Sequence, residues 1–593
     1  MSSAKYALGI DLGTTHSALS YFALGEAKAR GAGQPMLPVP QLTAPGTVEP
    51  KQLLPSFLYL PNANEFPDGA LALPWDKKAR DITGELARSH GAKVPTRLVS
   101  SAKSWLCHPG VDRRAAILPW QAPEEVQRIS PLDASARYLE HLRDAWDHAF
   151  KKDPLENQSV IVTVPASFDA AARDLTLEAA KKAGLGDVTL LEEPQAALYA
   201  WIEAQGDNWR KLVKPSEVIL VVDVGGGTSD FSLISVGEKG GELYLERLAV
   251  GDHILLGGDN MDLALAHAAA QKLGKKLDAW QMNGLTYACR SAKELLFADA
   301  KLDSAPITVA SRGSSLMGGT LKTTLERAEL TKLLTDGFFP KTRVDELPAT
   351  ARRTGLAQMA LPYAADPAVT KHLAAFLTRQ AALAKNGESF VRPTAVLFNG
   401  GVFKASALKD RVLDVLGAWM GEKPKELPGA DLDLAVARGA AYYGWVRQGH
   451  GIRIRGGTAR AYYVGVESAM PAVPGMEPPV KALCVAPFGM EEGTQADVPP
   501  QQFGLVVGEP TRFRFFASSV RREDKVGTML EDPDELEEVA PIETTLEGRQ
   551  AGQLVPVNLQ AAVTELGSLE LRCLEKGGGG KWKLELNVRQ KDA

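Results

Sequence analysis

Apolar residues fall into two kinds of run along most of the chain. Short continuous runs at Tyr6–Ile10, Ala18–Phe22, Ser159–Pro165, Val188–Leu191, Val218–Val222, Phe231–Ile234 and Ala395–Phe398 have the length of buried strands. Several end in Gly, Pro or an acidic residue, the usual punctuation of a strand. Between them lie segments with apolar residues near helical spacing: Leu132–Ala149, Phe168–Ala183, Ala196–Ala204, Met261–Leu273, Thr286–Phe297, Leu325–Leu334, Ala407–Leu416 and Asp431–Val446. Arg97–Leu106 has helical character, and Gly337–Arg392 is long and helical in pattern. Ile307–Ala310 and Leu316–Lys322 read as strands, and Gly25–Pro55 as loop with short strands. Strands alternating with helices predict an α/β fold.

Near Gly449–Gly457 the character changes. Helical periodicity almost disappears, and alternating segments follow at Ala461–Glu467, Lys481–Val485, Leu505–Val507, Thr511–Phe516, Leu569–Cys573 and Trp582–Val588. These predict a second, all-β domain. Glu523–Glu538 holds eight acidic residues and one lysine, which predicts a solvated or mobile loop. No helical segment follows the last strand.

A length of 593 residues agrees with more than one core. The net charge of −5 gives no electrostatic reason to expect a nucleic acid or an acidic membrane as partner. Cys107, Cys289, Cys484 and Cys573 lie far apart with no CxxC, which excludes a disulfide framework or zinc knuckle and fits a reducing compartment. No signal peptide and no long apolar run is present, so a cytoplasmic protein is expected.

The candidate chemistry sits at two turns. Val221–Asp230 reads VVDVGGGTSD: an apolar strand, Asp223, the glycines Gly225, Gly226 and Gly227, Thr228 and Asp230, then a second apolar run. Glycines let backbone approach a ligand, and a row of turn N–H groups makes an anion-binding concavity. Asp and Thr oxygens suit Mg²⁺, mostly through water. Gly9–Thr15 repeats the arrangement, with Asp11, Gly13, Thr14 and Thr15 between two strands. Two such hairpins facing each other would clasp a triphosphate. Glu192-Glu193-Pro194 places carboxylates at a strand's end just before a helix, a favourable site position in an α/β fold. Asn399-Gly400-Gly401 is another glycine turn at a strand's end.

With these stretches in order, the chain resembles the seventy-kilodalton heat-shock chaperones, the DnaK family of the actin-like ATPase superfamily. The resemblance is carried by GIDLGTTHS (9–17), SAKSWL (101–106), VIVTVPASFDAAAR (160–173), EEPQAAL (192–198), VVDVGGGTSDFSLI (221–234), LLGGDNMD (255–262), LFNGGVF (397–403) and DLAVARGAA (433–441). It implies a two-lobed actin-like ATPase domain with a duplicated ribonuclease-H-like core over residues 1–450, followed by a β-rich, substrate-binding-like domain over 451–593. Lobe I would comprise about 1–215 plus 431–450, and lobe II about 216–430.

Residue by residue, the resemblance implies ATP or ADP with Mg²⁺ as the bound group. Asp11 and Asp223 would hold the hydration shell of the metal, and Asp230 and Glu193 would place the attacking water. Thr14, Thr15 and Thr228 would contact phosphate oxygens beside Gly13 and the Gly225–Gly227 turn. Lys103 matches the family's active-site lysine. Gly257, Gly258, Gly400 and Gly401 would line the cleft, with Lys293 and Lys404 at its nucleoside end. Pro165 and Arg173 match residues that relay nucleotide state to the substrate domain. Partners implied are unfolded or extended peptide segments, a J-domain co-chaperone and a nucleotide-exchange factor, with no nucleic acid and no membrane. A nucleotide-switched adaptor without catalysis and a small-molecule kinase of the same superfamily remain as alternatives; the β domain and the ordered motifs count against the kinase.

The sequence departs from the family at the nucleoside end and beyond. The family's Glu, Lys, Arg and Ser on the adenosine helix are Arg290, Lys293, Glu294 and Phe297 here, and Lys404 replaces an adenine-side arginine. The interdomain stretch Gln448–Gly457 is basic where the family's is acidic and leucine-rich. The family's helical lid has no counterpart, so fast peptide release is expected, and Gly337–Arg392 is a candidate insertion. An arginine stacked on a ring contributes roughly 0.5–2 kcal/mol. The chain should therefore bind ATP more weakly than family members that keep the arginine, and titration calorimetry showing equal affinity would refute this.

Overall fold

The computed structural model describes residues 4–25, 34–108, 110–239, 242–252, 254–310, 320–350, 361–384, 387–429, 431–454, 458, 460–468, 479–499, 503–518, 520–521, 523–548, 550–566 and 568–587. Residues 316–319, 351–360, 385–386 and 455–457, which carry parts of the expected strand, insertion and interdomain stretch, lie outside these. The chain divides into two compact units, Met1–Arg453 and Ile454–Ala593.

Two five-stranded sheets of the same design form the centre of the first unit. The first holds β1 (Tyr6–Leu12), β2 (His16–Ala23), β3 (Leu54–Pro55), β4 (Ser159–Val164) and β5 (Val188–Glu192), in the order β5-β4-β1-β2-β3. The second holds β6 (Val218–Val224), β7 (Ser229–Lys239), β8 (Glu242–Val250), β9 (Ala395–Asn399) and β10 (Lys425–Glu426), in the order β8-β7-β6-β9-β10. In each, the central strand pairs antiparallel with its hairpin partner and parallel with a strand reached by a crossover. The repeat is exact at the chemistry-bearing positions: Asp11 of β1 lies opposite Thr163 of β4, and Asp223 of β6 opposite Asn399 of β9. The continuous apolar runs are explained by burial on both faces, with Ile219, Leu220, Val221 and Val222 all fully buried.

The helix Ala435–Val446 packs on the first sheet through its small residues. A Cβ built on Gly9 of β1 would lie 2.2 Å from the Ala437 carbonyl oxygen, and one on Gly439 would lie 1.7 Å from the Ala196 carbonyl oxygen of the helix Glu193–Gln205. Backbone thus meets backbone at both contacts, which holds Glu193 at a set height above β5.

The second unit is a sandwich of antiparallel sheets. One holds β11 (Ala461–Glu467), β12 (Val480–Ala486), β15 (Pro510–Ser518), β16 (Met529–Leu530) and β17 (Glu537–Thr545), in the order β16-β12-β11-β15-β17. The other holds β13 (Thr494–Asp497), β14 (Phe503–Val507), β18 (Gln553–Val563), β19 (Ser568–Glu575) and β20 (Lys581–Asn587), with β13 and β14 both on β18. Tyr462, Val464, Leu483 and Phe515 from one sheet share a core with Val557, Ala561, Leu571 and Leu584 from the other.

Several expectations are corrected. Among its described residues, Gly337–Arg392 contains one α-helix, Val369–Arg379, and a short turn at Ala381–Leu383. Pro340, Pro348, Pro362 and Pro367 interrupt the spacing before that helix can start. Arg97–Leu106 is helical only over Ala102–Leu106, because Leu98–Val99 is taken into a small sheet. The acidic stretch Glu523–Glu538 is not simply solvated loop: Met529–Leu530 pairs with β12, and Glu537 and Glu538 open β17. The strands β8, β13, β17 and β18 were not legible, since polar residues or proline, such as Glu246–Arg247 in β8, Pro541 in β17 and Pro556 and Asn558 in β18, break their apolar runs irregularly.

Gly439→Ala should unfold the first unit at lower denaturant by roughly 1–3 kcal/mol or more, the cost of overpacking a filled contact. Urea titration followed by circular dichroism checks this, and an unchanged midpoint would contradict the close backbone approach.

Candidate functional site

Each central hairpin ends in a polar turn, and the two turns face each other. A Cβ built on Gly226 would stand 1.7 Å from Thr15 Oγ1, and one on Gly227 2.8 Å from Thr14 Cγ2. Any side chain at Gly226 would therefore push the turns apart. The Gly225 N–H closes its own turn on the Thr228 carbonyl oxygen at 2.9 Å. The helix Gly258–Leu273 buttresses this turn from behind: the Gly258 N–H donates to Gly225 O at 3.0 Å and the Asp259 N–H to Gly226 O at 2.7 Å. A Cβ on Gly257 would reach 2.7 Å from both carbonyl oxygens, so that glycine is a packing requirement. Gly400 adopts φ 87°, and a Cβ there would meet Val224 O at 2.3 Å.

Charged groups gather between the turns. Lys103 lies on the short helix Ala102–Leu106, whose preceding residue, Ser101, takes the left-handed φ of 54°. Its ammonium is buried and pairs with Glu193. Asp11 accepts from Thr163 Oγ1 at 3.3 Å, Asp223 accepts from Asn399 Nδ2 at 2.7 Å, and Asp230 accepts from Ser167 Oγ at 2.7 Å. The last bond joins the two lobes. Burial, with the Glu193 charge added, pushes the Asp11 carboxyl up to about 7 and the Asp223 carboxyl well above its ordinary range. Burial raises Asp230 to about 6 against the hydrogen bonds from Ser167 and Thr228. Burial alone would lower Lys103, but Glu193 and Asp11 outweigh it and hold the ammonium above its ordinary value.

These groups open on a cavity of about 410 Å³. Asp11, Gly13, Thr14, Thr15, Lys103, Glu193, Asp223, Gly225, Gly226, Thr228, Gly258, Lys293, Gly400, Gly401 and Lys404 all line it. Gly227, Gly257 and Asp230 stand behind the wall; Asp230 reaches the cavity only through its bond to Thr228. Pro165 and Arg173 are buried outside the lining.

At the far end of the cavity the sequence reading passed over the carboxylates that Arg290, Lys293 and Lys404 meet. Asp262, only 1% exposed, accepts from Arg290 Nε at 2.7 Å and pairs with Lys293 Nζ at 2.7 Å, while Arg290 also pairs with Asp259. Both cations of the helix Ala279–Ala298 are thereby committed to the neighbouring helix. Lys404 pairs with Asp433 at 2.5 Å, and Glu294 lies 3.7 Å from Arg88 across the cleft. His16 also lines the cavity; burial, with Arg88, Arg290 and Lys404 nearby, lowers it to about 3, so it stays neutral. The spacing of Asp259 with Asp262 and of Arg290 with Lys293, each three residues apart, is a signal that could have revealed this network.

The residues present suit a phosphate-bound divalent cation. Four carboxylates face one lysine, so the cluster is short of positive charge. Thr15 Oγ1 and Asn399 Oδ1 are buried without a hydrogen-bond partner. Among the described residues no three His, Cys, Asp or Glu side chains converge on one metal position. No helix of the described residues is long and apolar enough to cross a membrane.

Two lobes on one strand plan, each giving a carboxylate and a Gly/Thr turn to a shared clasp, define an actin-like, ATP-binding type of fold. Residues 84–344, less than half of the chain, match the family described as Hsp70 protein. It is similar to the chaperone protein HscA homolog of Bordetella pertussis (strain Tohama I), 30% identical over 339 residues, which are 56% of this chain and 46% of that one. The HscA homolog of Paracidovorax citrulli is 31% identical over 319 residues, 51% of this chain and 44% of the relative. Chaperone protein HscA of Enterobacter sp. (strain 638) is 30% identical over 279 residues, 46% of this chain and 38% of the relative. The chain spans less than half the length of each of these relatives.

Arg290→Ala should destabilise the first unit by about 3–5 kcal/mol, because it leaves the buried Asp262 short of one partner. A thermal melt within about a degree of wild type would show that Arg290 is free to serve a ligand instead.

Proposed function

We propose that the chain binds ATP with Mg²⁺ in the clasp, hydrolyses it, and couples nucleotide state to peptide binding by the β unit, as a chaperone-like ATPase. The observation that carries this reading is the meeting of Lys103 with Asp11, Glu193 and Asp223 in one cavity between two Gly/Thr turns, with Asp230 behind Thr228. The match of residues 84–344 to the Hsp70 protein family supports it, and the relatives' printed names are those of chaperones.

Phosphoryl transfer asks for positioning and charge neutralisation more than for a strong nucleophile. Backbone N–H groups of the Gly225–Gly227 turn and the hydroxyls of Thr14, Thr15 and Thr228 would hold the phosphate oxygens. Mg²⁺ carried on the phosphates would neutralise charge there, held through water by Asp11 and Asp223. Lys103 would stabilise charge as it develops on the transferring group. Glu193, which lines the cavity, would orient the attacking water, while Asp230 would act by holding Thr228. The glycines Gly257, Gly258, Gly400 and Gly401 would keep this frame in place. At the nucleoside end, Lys293 and Lys404 already carry carboxylate partners, so their help to a base is small.

Steady-state phosphate release from the purified chain tests the reading. Lys103→Ala should cut hydrolysis at least a hundredfold while changing ATP affinity far less, since its charge is needed mainly in the transition state. Wild-type hydrolysis in that variant would remove Lys103 from catalysis. A wild-type chain that binds ATP and releases no phosphate would leave a nucleotide-switched adaptor.

A further inference from the structure

One edge of the β sandwich is covered by the chain itself. The outer face of the β11–β12–β15 sheet buries Tyr463, Cys484 and Phe516, and Leu530 and Leu536 pack on them. Both apolar residues belong to the acidic segment. Its centre adds a strand to the edge of β12, with Leu530 opposite Ala482 and Met529 opposite Leu483. The pairing continues into the turn: the Cys484 N–H donates to Thr528 O at 2.8 Å, and the Gly527 N–H donates to Cys484 O at 2.9 Å. The outer edge of β12 is therefore satisfied by Gly527–Leu530, of which two residues form strand.

The strap is held by this pairing, by Val526 and Met529 against the sandwich core and Leu530 and Leu536 on the outer face, and by charge at the surface. Lys481 pairs with Glu531 at 2.5 Å and Arg521 with Glu535 at 3.5 Å, but these glutamates are 77% and 78% exposed. Exposed pairs contribute little. The firmer tether is Asp524, which accepts from Tyr463 Oη at 2.6 Å and from Arg521 Nε at 2.8 Å. Leu530 and Met529 are only half buried. A bare strand edge is a template for another chain, and it does not stay uncovered in water beside apolar residues.

We propose that Gly527–Leu530 is a removable occupant of the β12 edge, and that an extended peptide competes with it there by strand addition. The chemistry of that peptide is read from the present occupant: small and apolar residues, Gly-Thr-Met-Leu, followed by the acids Glu531 and Asp532. When the strap leaves, the Cys484 N–H and C=O are unpaired and Lys481 loses its carboxylate. The edge then asks for backbone first, an apolar pair second and an acidic residue third. This rests on the reading of the β unit as peptide-binding, and it adds a self-blocking step to it.

The test uses the full chain, a fluorescent synthetic peptide with the sequence of residues 525–536, a scrambled control and a panel of unrelated extended apolar peptides. Asp524→Ala removes the tether and Leu530→Asp removes the apolar anchor. Each should bind the 525–536 peptide about tenfold more tightly than wild type, with no gain for the scrambled peptide. Alkylation of Cys484 followed by mass spectrometry should speed up in both variants, while Cys573 in the sandwich core stays protected. Equal affinity in wild type and variants would overturn the proposal and leave peptide binding standing, as would binding of the unrelated peptides alone. Joint exposure of Cys484 and Cys573 would overturn it too, by showing that the strap is part of the core. No peptide bound by any of the chains would remove both this proposal and the peptide-binding reading.

Discussion

The first unit depends on a contact that tolerates no side chain. Gly226 and Thr15 meet at a distance that even one methyl group would break, and this contact joins two hairpins from two separate sheets. Everything chemical in the unit is referred to it. The helix beginning at Gly258 rests on the carbonyls of the same turn, and Asp11 and Asp223 stand at equivalent places on the strands that lead into it. A duplicated sheet plan converts into a site because the repeat brings two like ends together. The ligand space is what remains between them.

The site is unbalanced electrostatically, and the imbalance runs along its length. At the clasp, carboxylates outnumber the lysine, and their raised proton affinities record burial without sufficient counter-charge. At the far end the opposite holds: Arg290 and Lys293 are matched by Asp259 and Asp262, and Lys404 by Asp433. A cluster short of cations draws in a metal with its phosphates. A cluster already neutral has little left to offer a base. The two ends of one cavity thus differ in how much binding energy they have available.

The β unit follows a different logic. Its core is shared between two sheets, and a smaller apolar cluster lies on the outer face of one of them. A short strand from its own acidic segment pairs with the sheet's edge and packs Leu530 and Leu536 on that face, tethered further by Asp524 and a fringe of exposed pairs. High charge in that segment keeps it soluble when released and leaves it weakly bound when in place.

Much of the α/β unit was legible in the sequence. Continuous apolar runs such as Val218–Val222 and Ser159–Pro165 read as strands buried on both faces, and the Gly/Thr turns that follow some of them marked where two hairpins meet. Glu193 was legible from its place at a strand's end before a helix, but Lys103 only through resemblance, because nothing in local spacing separates a buried lysine from a surface one. Less legible were elements whose character is set by distant residues. The strand β8 exists because β7 offers it an edge, and Met529–Leu530 is a strand only because β12 does. The prolines of the 337–392 stretch outweighed a helical spacing that looked sufficient. The sequence by itself determined the duplicated plan and the identity of the clasp, since both are written in local patterns of apolar residues, glycine and acid. Only the tertiary structure decided that Asp230 stands behind Thr228, that Arg290 and Lys293 are already paired, and that the acidic segment straps the β sandwich. Each of those depends on which side chains from remote parts of the chain arrive at the same place.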